Sequence, residues 1–257
     1  MRSFFTGVLL YALAFTCHAH ARSVTAKSWL VSDTEGAVIS SDNIDEVRSI
    51  ASITKLLTVM VVLDARQSMQ EQIPLSKKLR DRLPRKVQSL SRETLIELAM
   101  VNSDNRAALT LCEQYPNGLE ACVGAMNAKL RSLGMLRSVV YEPTGLDARN
   151  VSTARELVQL VRVGSYYPEI VKASKKTKVE IKVKKKWLVF PQTNSLVGKT
   201  QRVLVSKTGW INASGGCLVM LISTDLGTRI VVVLGSKSTR TRIPEAELIS
   251  DLRGEEK

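Results

Sequence analysis

The spacing of apolar and polar positions divides the chain into strand-like ends and a helical middle. Near the start, "KSWLVSD" (residues 27–33) and "GAVISSDN" (36–43) read as two short strands joined by the turn "SDTEG". The segment "SITKLLTVMVVLDA" (52–65) is apolar nearly all round, which predicts a buried central helix. Residues 66–90 are polar and basic, carry Pro74 and Pro84, and read as a surface excursion. In "SRETLIELAM", Ser91 precedes a helix-period pattern, so a capped helix is expected, stopping at "VNSDN". A further helix is expected from about Arg106 to Gln114, with a break at "YPNG". It resumes from Leu119 to Leu133 and ends at Gly134. "VSTARELVQLVRVG" (151–164) repeats the capped-helix pattern.

In "KASKKTKVEIKVKKKWLVF" (172–190), Val179, Ile181 and Val183 alternate with charged residues, the signature of a half-buried strand. "RVLVSKTGW", "GGCLVMLIST" and "TRIVVVLG" then read as strands, followed by a helix from Pro244 to Leu252. Strands at both ends with helices between imply an α+β fold, one antiparallel sheet built from the two termini and packed on a helical cluster. No internal repeat and no linker interrupts residues 22–257, so a single domain is expected there.

Composition changes the picture at the amino terminus. The chain of 257 residues, 44% hydrophobic and 24% charged, can bury a substantial core. Its first 21 residues, "MRSFFTGVLLYALAFTCHAHA", instead have Arg2, an apolar stretch and Ala19-His20-Ala21, which predicts a secretory signal peptide cleaved before Arg22. Both histidines, His18 and His20, leave with it. A mature chain without imidazole excludes Ser-His-Asp and Cys-His chemistry, and three remaining cysteines make a zinc site improbable, so neither metal nor cofactor is expected. The formal charge of +13 falls by one on cleavage. For a secreted protein it points to anionic wall polymer and not to nucleic acid.

Without histidine, a nucleophile needs lysine, carboxylate or tyrosine as base. Ser52 and Lys55 form S-x-x-K at the head of the central helix, where i and i+3 side chains share a face. Ser103-Asp104-Asn105 and Lys207-Thr208-Gly209 follow in order. Ser41-Asp42-Asn43 is out of order, and the "GKT" at Gly198 lacks the first glycine of a phosphate loop. S-x-x-K, S-D-N and K-T-G form the known signature set of penicillin-binding proteins and class A β-lactamases, each weak alone and specific together. In that arrangement Ser52 is the nucleophile and Lys55 its base, kept neutral by apolar surroundings and by Lys207 as a second cation. Ser103 bridges the two lysines and relays a proton. Asn105 holds a substrate amide, and Lys207 with Thr208 holds a carboxylate. Gly209 lets substrate reach the strand edge, and the N–H groups of Ser52 and Trp210 form an oxyanion hole. The plain alternative is that Ser103 and Asn105 cap the next helix.

With "DEVRSIASITKLLTVMVVLDA", "NSDNRAA", "AMNAKLRSLGM", "EPTGLD", "NVSTAREL" and "SKTGWINASGGCLVM", the chain resembles the low-molecular-mass penicillin-binding proteins. Within them it is most similar to the periplasmic endopeptidases of the D-alanyl-D-alanine carboxypeptidase/endopeptidase family. The resemblance implies a β-lactamase/transpeptidase-like fold, periplasmic location, peptidoglycan stem peptides and cross-links as substrate, and β-lactams as covalent inhibitors. Cleavage of D-Ala–diaminopimelate cross-links is expected ahead of D-alanine trimming. The stretch after Gly209 has room for two strands and a helix, and its tail "IPEAELISDLRGEEK" does not read as a membrane anchor. Two alternatives stand beside this reading. Glu142 in "EPTGLD" is similar to the water-activating glutamate of class A β-lactamases, though the continuation differs, and a non-catalytic wall-binding module would keep the same fold. Cys112 and Cys122 flank "YPNG" and are either a bridged pair or two buried thiols, while Cys217 reads as core. The lysine-rich run reads as a charge-protected edge strand, with a grip on anionic wall as its functional alternative.

Overall fold

The computed structural model describes residues 24–79, 82–84 and 86–250. The expected signal peptide lies outside them. In chain order the elements begin with β1 (Ser28–Ser32), β2 (Val38–Asp42) and β3 (Arg48–Ser49). A 3-10 turn, Ala51–Ile53, leads into α1 (Thr54–Asp64). Next come β4 (Gln72–Pro74), β5 (Ser89–Ser91), α2 (Arg92–Glu97), a π-helical turn (Leu98–Asn102), α3 (Asn105–Glu113) and α4 (Gly118–Ser132). Then follow β6 (Val151–Ser152), α5 (Ala154–Gly164), α6 (Pro168–Ser174), β7 (Lys178–Val183) and β8 (Lys186–Pro191). The chain continues through β9 (Val203–Ile211), β10 (Gly215–Thr224), β11 (Gly227–Ser236) and α7 (Arg242–Ile249).

The main sheet has the order β2-β1-β11-β10-β9 with every pair antiparallel, so the amino-terminal hairpin joins the carboxy-terminal strands as expected. Its inner strands are apolar on both sides because both faces are covered. Cys217, Val219 and Leu221 of β10 join the core with α1, while Leu218, Met220 and Ile222 face the layer containing Ile243 and Ala246 of α7. Helix α1 is buried from Thr54 to Val62, which explains its lack of an amphipathic pattern. The caps fall where expected: Ser91 accepts from Thr94 N and Thr153 from Glu156 N.

Two expectations are corrected, those for residues 66–90 and for the last helix, and two features are added. Residues 66–90 are not merely superficial: they carry the β4–β5 pair and bury Ile73, Leu75, Leu83 and Val87. The Arg106 guanidinium ties this segment down by donating to the carbonyls of Ser76 (2.7 Å) and Pro84 (3.1 Å). Helix α6 was not foreseen, because seven residues are too few to show a period. The lysine-rich run forms the β7–β8 hairpin, a two-stranded sheet apart from the main one. Helix α7 starts at Arg242, before Pro244, which sits in its first turn; Leu252 lies outside the described residues.

Cys112 and Cys122 form a disulfide joining the end of α3 to the start of α4, with Cα atoms 5.4 Å apart. Cys217 is a buried thiol whose pKa is pushed up by burial, as befits a packing residue. Closing the short loop between Cys112 and Cys122 limits the unfolded chain more than the folded one. The double substitution Cys112→Ala/Cys122→Ala is expected to lower unfolding stability by about 2–3 kcal/mol in denaturant titration. An unchanged midpoint would show that the bridge contributes nothing.

Candidate active site

Ser52 lies in the 3-10 turn that feeds α1, at a sharply bent point of the chain. Ala51, immediately before it, has φ of +45°, a left-handed conformation rare for a residue with a side chain. Two glycines press on this turn. A Cβ on Gly145 would lie 2.0 Å from Ala51 O, and one on Gly209 would lie 2.9 Å from Ser52 N. Gly209 is therefore needed so that β9 can approach the Ser52 turn, while it also lines the cleft. Asn150 clamps the turn from behind. Its carbonyl accepts from Ile50 N at 3.0 Å, and its amide donates to Thr54 Oγ1 at 3.2 Å.

Lys55 follows one turn later and is fully buried. Its Nζ donates to Ser52 Oγ at 2.8 Å, Asn105 Oδ1 at 2.6 Å and the Thr144 carbonyl at 2.5 Å. That carbonyl belongs to "EPTGLD", whose fold depends on Glu142. The Glu142 carboxylate accepts from Thr144 N at 2.6 Å, Gly145 N at 2.5 Å and Asn150 Nδ2 at 3.0 Å. Its oxygens are thus engaged by the loop it organises, and Glu142 does not line the cleft.

The S-D-N segment starts where the π-helical turn ends. Ser103 is left-handed, with φ of +61°. Asp104 is the cap of α3, accepting from Ala107 N at 2.8 Å, so the plain capping reading of Ser103 and Asn105 is displaced onto the residue between them. Ser103 Oγ accepts from Lys207 Nζ at 2.8 Å while Asn105 takes Lys55. The two polar ends of the motif are therefore tied to different lysines.

Lys207, on β9, is 1% exposed and also donates to the Thr208 carbonyl at 2.8 Å. Burial pushes its ammonium well below the ordinary lysine range, and the positive charges of Lys55, Arg242 and Arg82 push the same way. Thr208 Oγ1 donates to Thr193 Oγ1 at 2.7 Å. Arg242, from α7, donates to the Gly209 carbonyl at 2.6 Å.

Ser52, Ser103, Asn105, Thr208, Gly209 and Trp210 line one cleft of about 250 Å³, with Lys55 and Lys207 buried in its floor. Arg82 and Arg242 also line it, and among the described residues no Asp or Glu does. Such a cleft favours an anionic ligand. Thr144, Thr193, Arg82 and Arg242 were missed from sequence. Thr144 lay within a recognised stretch but acts through its carbonyl, which side-chain identity does not reveal, and the other three lie outside the three short motifs.

A family model described as Peptidase S11, D-alanyl-D-alanine carboxypeptidase, matches residues 15–238. The D-alanyl-D-alanine endopeptidase of Escherichia coli strain K12 is 38% identical over 239 residues, covering 85% of this chain and 77% of the relative. The endopeptidase of Pseudomonas aeruginosa is 39% identical over 236 residues, covering 88% and 76% respectively. Among solved structures, penicillin-binding protein D2 from Listeria monocytogenes in its cefotaxime-bound form superposes with a TM-score of 0.79. It is 25% identical, with 90% of this chain and 97% of that one covered. A family match across most of the sequence, together with the same motifs converging on one cleft, places this chain in the S11 peptidases, the D-alanyl-D-alanine carboxypeptidase family.

Proposed function

We propose that this chain is a secreted, periplasmic DD-peptidase with one catalytic domain over residues 22–257. Ser52 attacks a D-alanyl carbonyl, and the preferred bond is the D-Ala–diaminopimelate cross-link of peptidoglycan. The observation that carries this reading is the 2.8 Å separation of Lys55 Nζ and Ser52 Oγ in the cleft that Ser103, Thr208 and Gly209 also line. When hydrogens of the amine go to Asn105 Oδ1 and the Thr144 carbonyl, the lone pair of neutral Lys55 faces the serine hydroxyl. The Ser52 proton passes to Lys55 as Oγ bonds to the carbonyl carbon. The backbone N–H groups of Ser52 and Trp210 receive the oxyanion. Ser103 Oγ gives its proton to the leaving amine as the C–N bond breaks and takes one from Lys207 Nζ. In deacylation water bonds to the acyl carbon, and its proton passes through Ser103 back to Lys207. Lys55 returns its proton to Ser52 Oγ as the ester breaks.

Substrate choice follows from charge. In a cross-link the leaving amine carries a carboxylate beside its D-centre, where a terminal D-alanine carries its own. Lys207, Thr208 and Arg242 offer that carboxylate a cationic, hydrogen-bonding wall, and Asn105 is placed for the neighbouring amide. Both reactions are open to this machinery, and the endopeptidase activity named for the two bacterial relatives supports the cross-link as preferred substrate. A β-lactam would be trapped at Ser52 as an ester. Engagement of both Glu142 oxygens by loop donors argues against the lactamase alternative, which needs a carboxylate to activate water.

Because the folded state lowers the pKa of Lys207, the unfolded chain binds more protons between that lowered value and the ordinary one. Stability therefore rises with pH across that window, and near pH 7 this buried lysine is a destabilising residue kept for its charge and hydrogen bonds. Lys207→Met is expected to raise Tm at pH 7 by about 2–4 °C while slowing acylation by benzylpenicillin about 100-fold or more. The gain should shrink toward about pH 10. A lower Tm with normal acylation would contradict this role. For the reaction, cross-linked muropeptide dimers and uncross-linked pentapeptide are digested side by side. Cleavage of dimers ahead of D-alanine release is expected, and D-alanine release with dimers intact would overturn the endopeptidase assignment.

A further inference from the structure

The β7–β8 hairpin is not accounted for by the catalytic cleft, yet it is joined to it. Between Lys172 and Lys186 the chain carries eight lysines against one glutamate. Three of these charges are answered locally: Lys172 pairs with Glu93, Lys176 with Glu97, and Lys178 with Glu180. Lys182, the turn residues Lys184 and Lys185, and Lys186 at the start of β8 form no ion pair within the described residues. The inner face of the hairpin is conventional, with Val179, Ile181 and Phe190 buried. The outer face is not. Trp187 is 62% exposed opposite Lys182, whose Nζ lies 6.0 Å from the indole centroid, and Val189 is 53% exposed beside it. Lysines alone suffice to keep an edge strand from aggregating, so edge protection does not explain an indole left in water.

The base of the hairpin is part of the cleft wall. Asn102 Nδ2 donates to the Pro191 carbonyl at 2.8 Å, Thr193 N donates to the Val101 carbonyl at 3.0 Å, and Thr193 lines the cleft. From Pro191 to Lys186 six extended residues reach about 20 Å. A stem peptide of four or five residues spans at most about 18 Å. The lysine turn therefore stands about one stem length along β8 from the point where the hairpin joins the cleft wall.

We infer that the tip and outer face of this hairpin form an exosite for the polymer that bears the substrate, resting on the peptidoglycan reading above. Lys184, Lys185 and Lys186 meet carboxylates of neighbouring stem peptides, and Trp187 lies against the apolar face of a glycan sugar. The exosite holds the enzyme on the network between cleavages and adds nothing for a small ligand that fills only the cleft.

The test compares the full chain with a Lys184→Gln/Lys185→Gln/Lys186→Gln variant, the same variant with Trp187→Ala, and a triple Lys→Arg control. Purified sacculi are sedimented with each protein at low and physiological salt. The glutamine variant should bind about tenfold more weakly at low salt, the modest end of what a single-sign patch contributes to local concentration. Adding Trp187→Ala should weaken it further, and the arginine control should bind as the parent does. Acylation by benzylpenicillin and cleavage of soluble dimers should be unchanged. Undiminished sedimentation of the glutamine variant would overturn the proposal. So would a loss confined to phosphatidylglycerol vesicles, which would make the patch a lipid-surface contact. If the parent leaves dimers intact while its retention on sacculi still depends on the lysines, the endopeptidase reading fails and the exosite stands.

Discussion

Two lysine amines buried in the floor of one cleft are the constraint around which the rest of this structure is arranged. Lys55 is fully buried and Lys207 is 1% exposed, and each positive charge disfavours the other. Such a pair persists only when its hydrogens have fixed acceptors. Asn105, Ser52 and the Thr144 carbonyl supply them for Lys55, and Ser103 and the Thr208 carbonyl for Lys207. The acceptors come from four separate segments, with Ser103 and Asn105 sharing one, so the helical cluster, the "EPTGLD" loop and the edge strand β9 must all be in register. An apolar helix all round and a sheet covered on both faces provide that rigidity.

Backbone strain collects at the same place. Ala51 and Ser103 are both left-handed without being glycine, and the π-helical turn widens the helix just before Ser103. Each distortion is held by tight packing. Gly145 and Gly209 allow backbone to lie against the Ser52 turn, and Asp104 starts α3 cleanly so that its neighbours can point at the lysines. The cost is met by burial elsewhere, in the strands of the main sheet and in the disulfide-linked α3–α4 pair.

Much of this was legible in the sequence, for identifiable reasons. The carboxy-terminal strands announced themselves as apolar runs between turn residues, and Ser91 and Thr153 marked helix starts with hydroxyls that do cap. The three motifs located five of the cleft-lining residues, and Trp210 beside K-T-G a sixth, because each motif is local in sequence. What escaped depends on backbone atoms or distant partners. Thr144 contributes a carbonyl, and Arg242 reaches the Gly209 carbonyl from a helix beyond two further strands. Residues 66–90 looked superficial because their buried residues Ile73, Leu75, Leu83 and Val87 follow no regular period, and the rest of their attachment runs through carbonyls bound to the Arg106 guanidinium. Glu142 misled in the opposite direction, since its type suggested chemistry while its surroundings give it a structural task.

The central claim is that a lysine, without imidazole, activates Ser52. Its most direct measurement is the mass of the intact protein after exposure to benzylpenicillin, with peptide mapping, on the parent chain and on Lys55→Arg. A guanidinium keeps the charge but cannot give up a proton to become a base. Expected is one penicilloyl adduct on Ser52 in the parent and none on the same timescale in Lys55→Arg. An adduct on another residue, or one formed on Ser52 in Lys55→Arg at the parental rate, would contradict it.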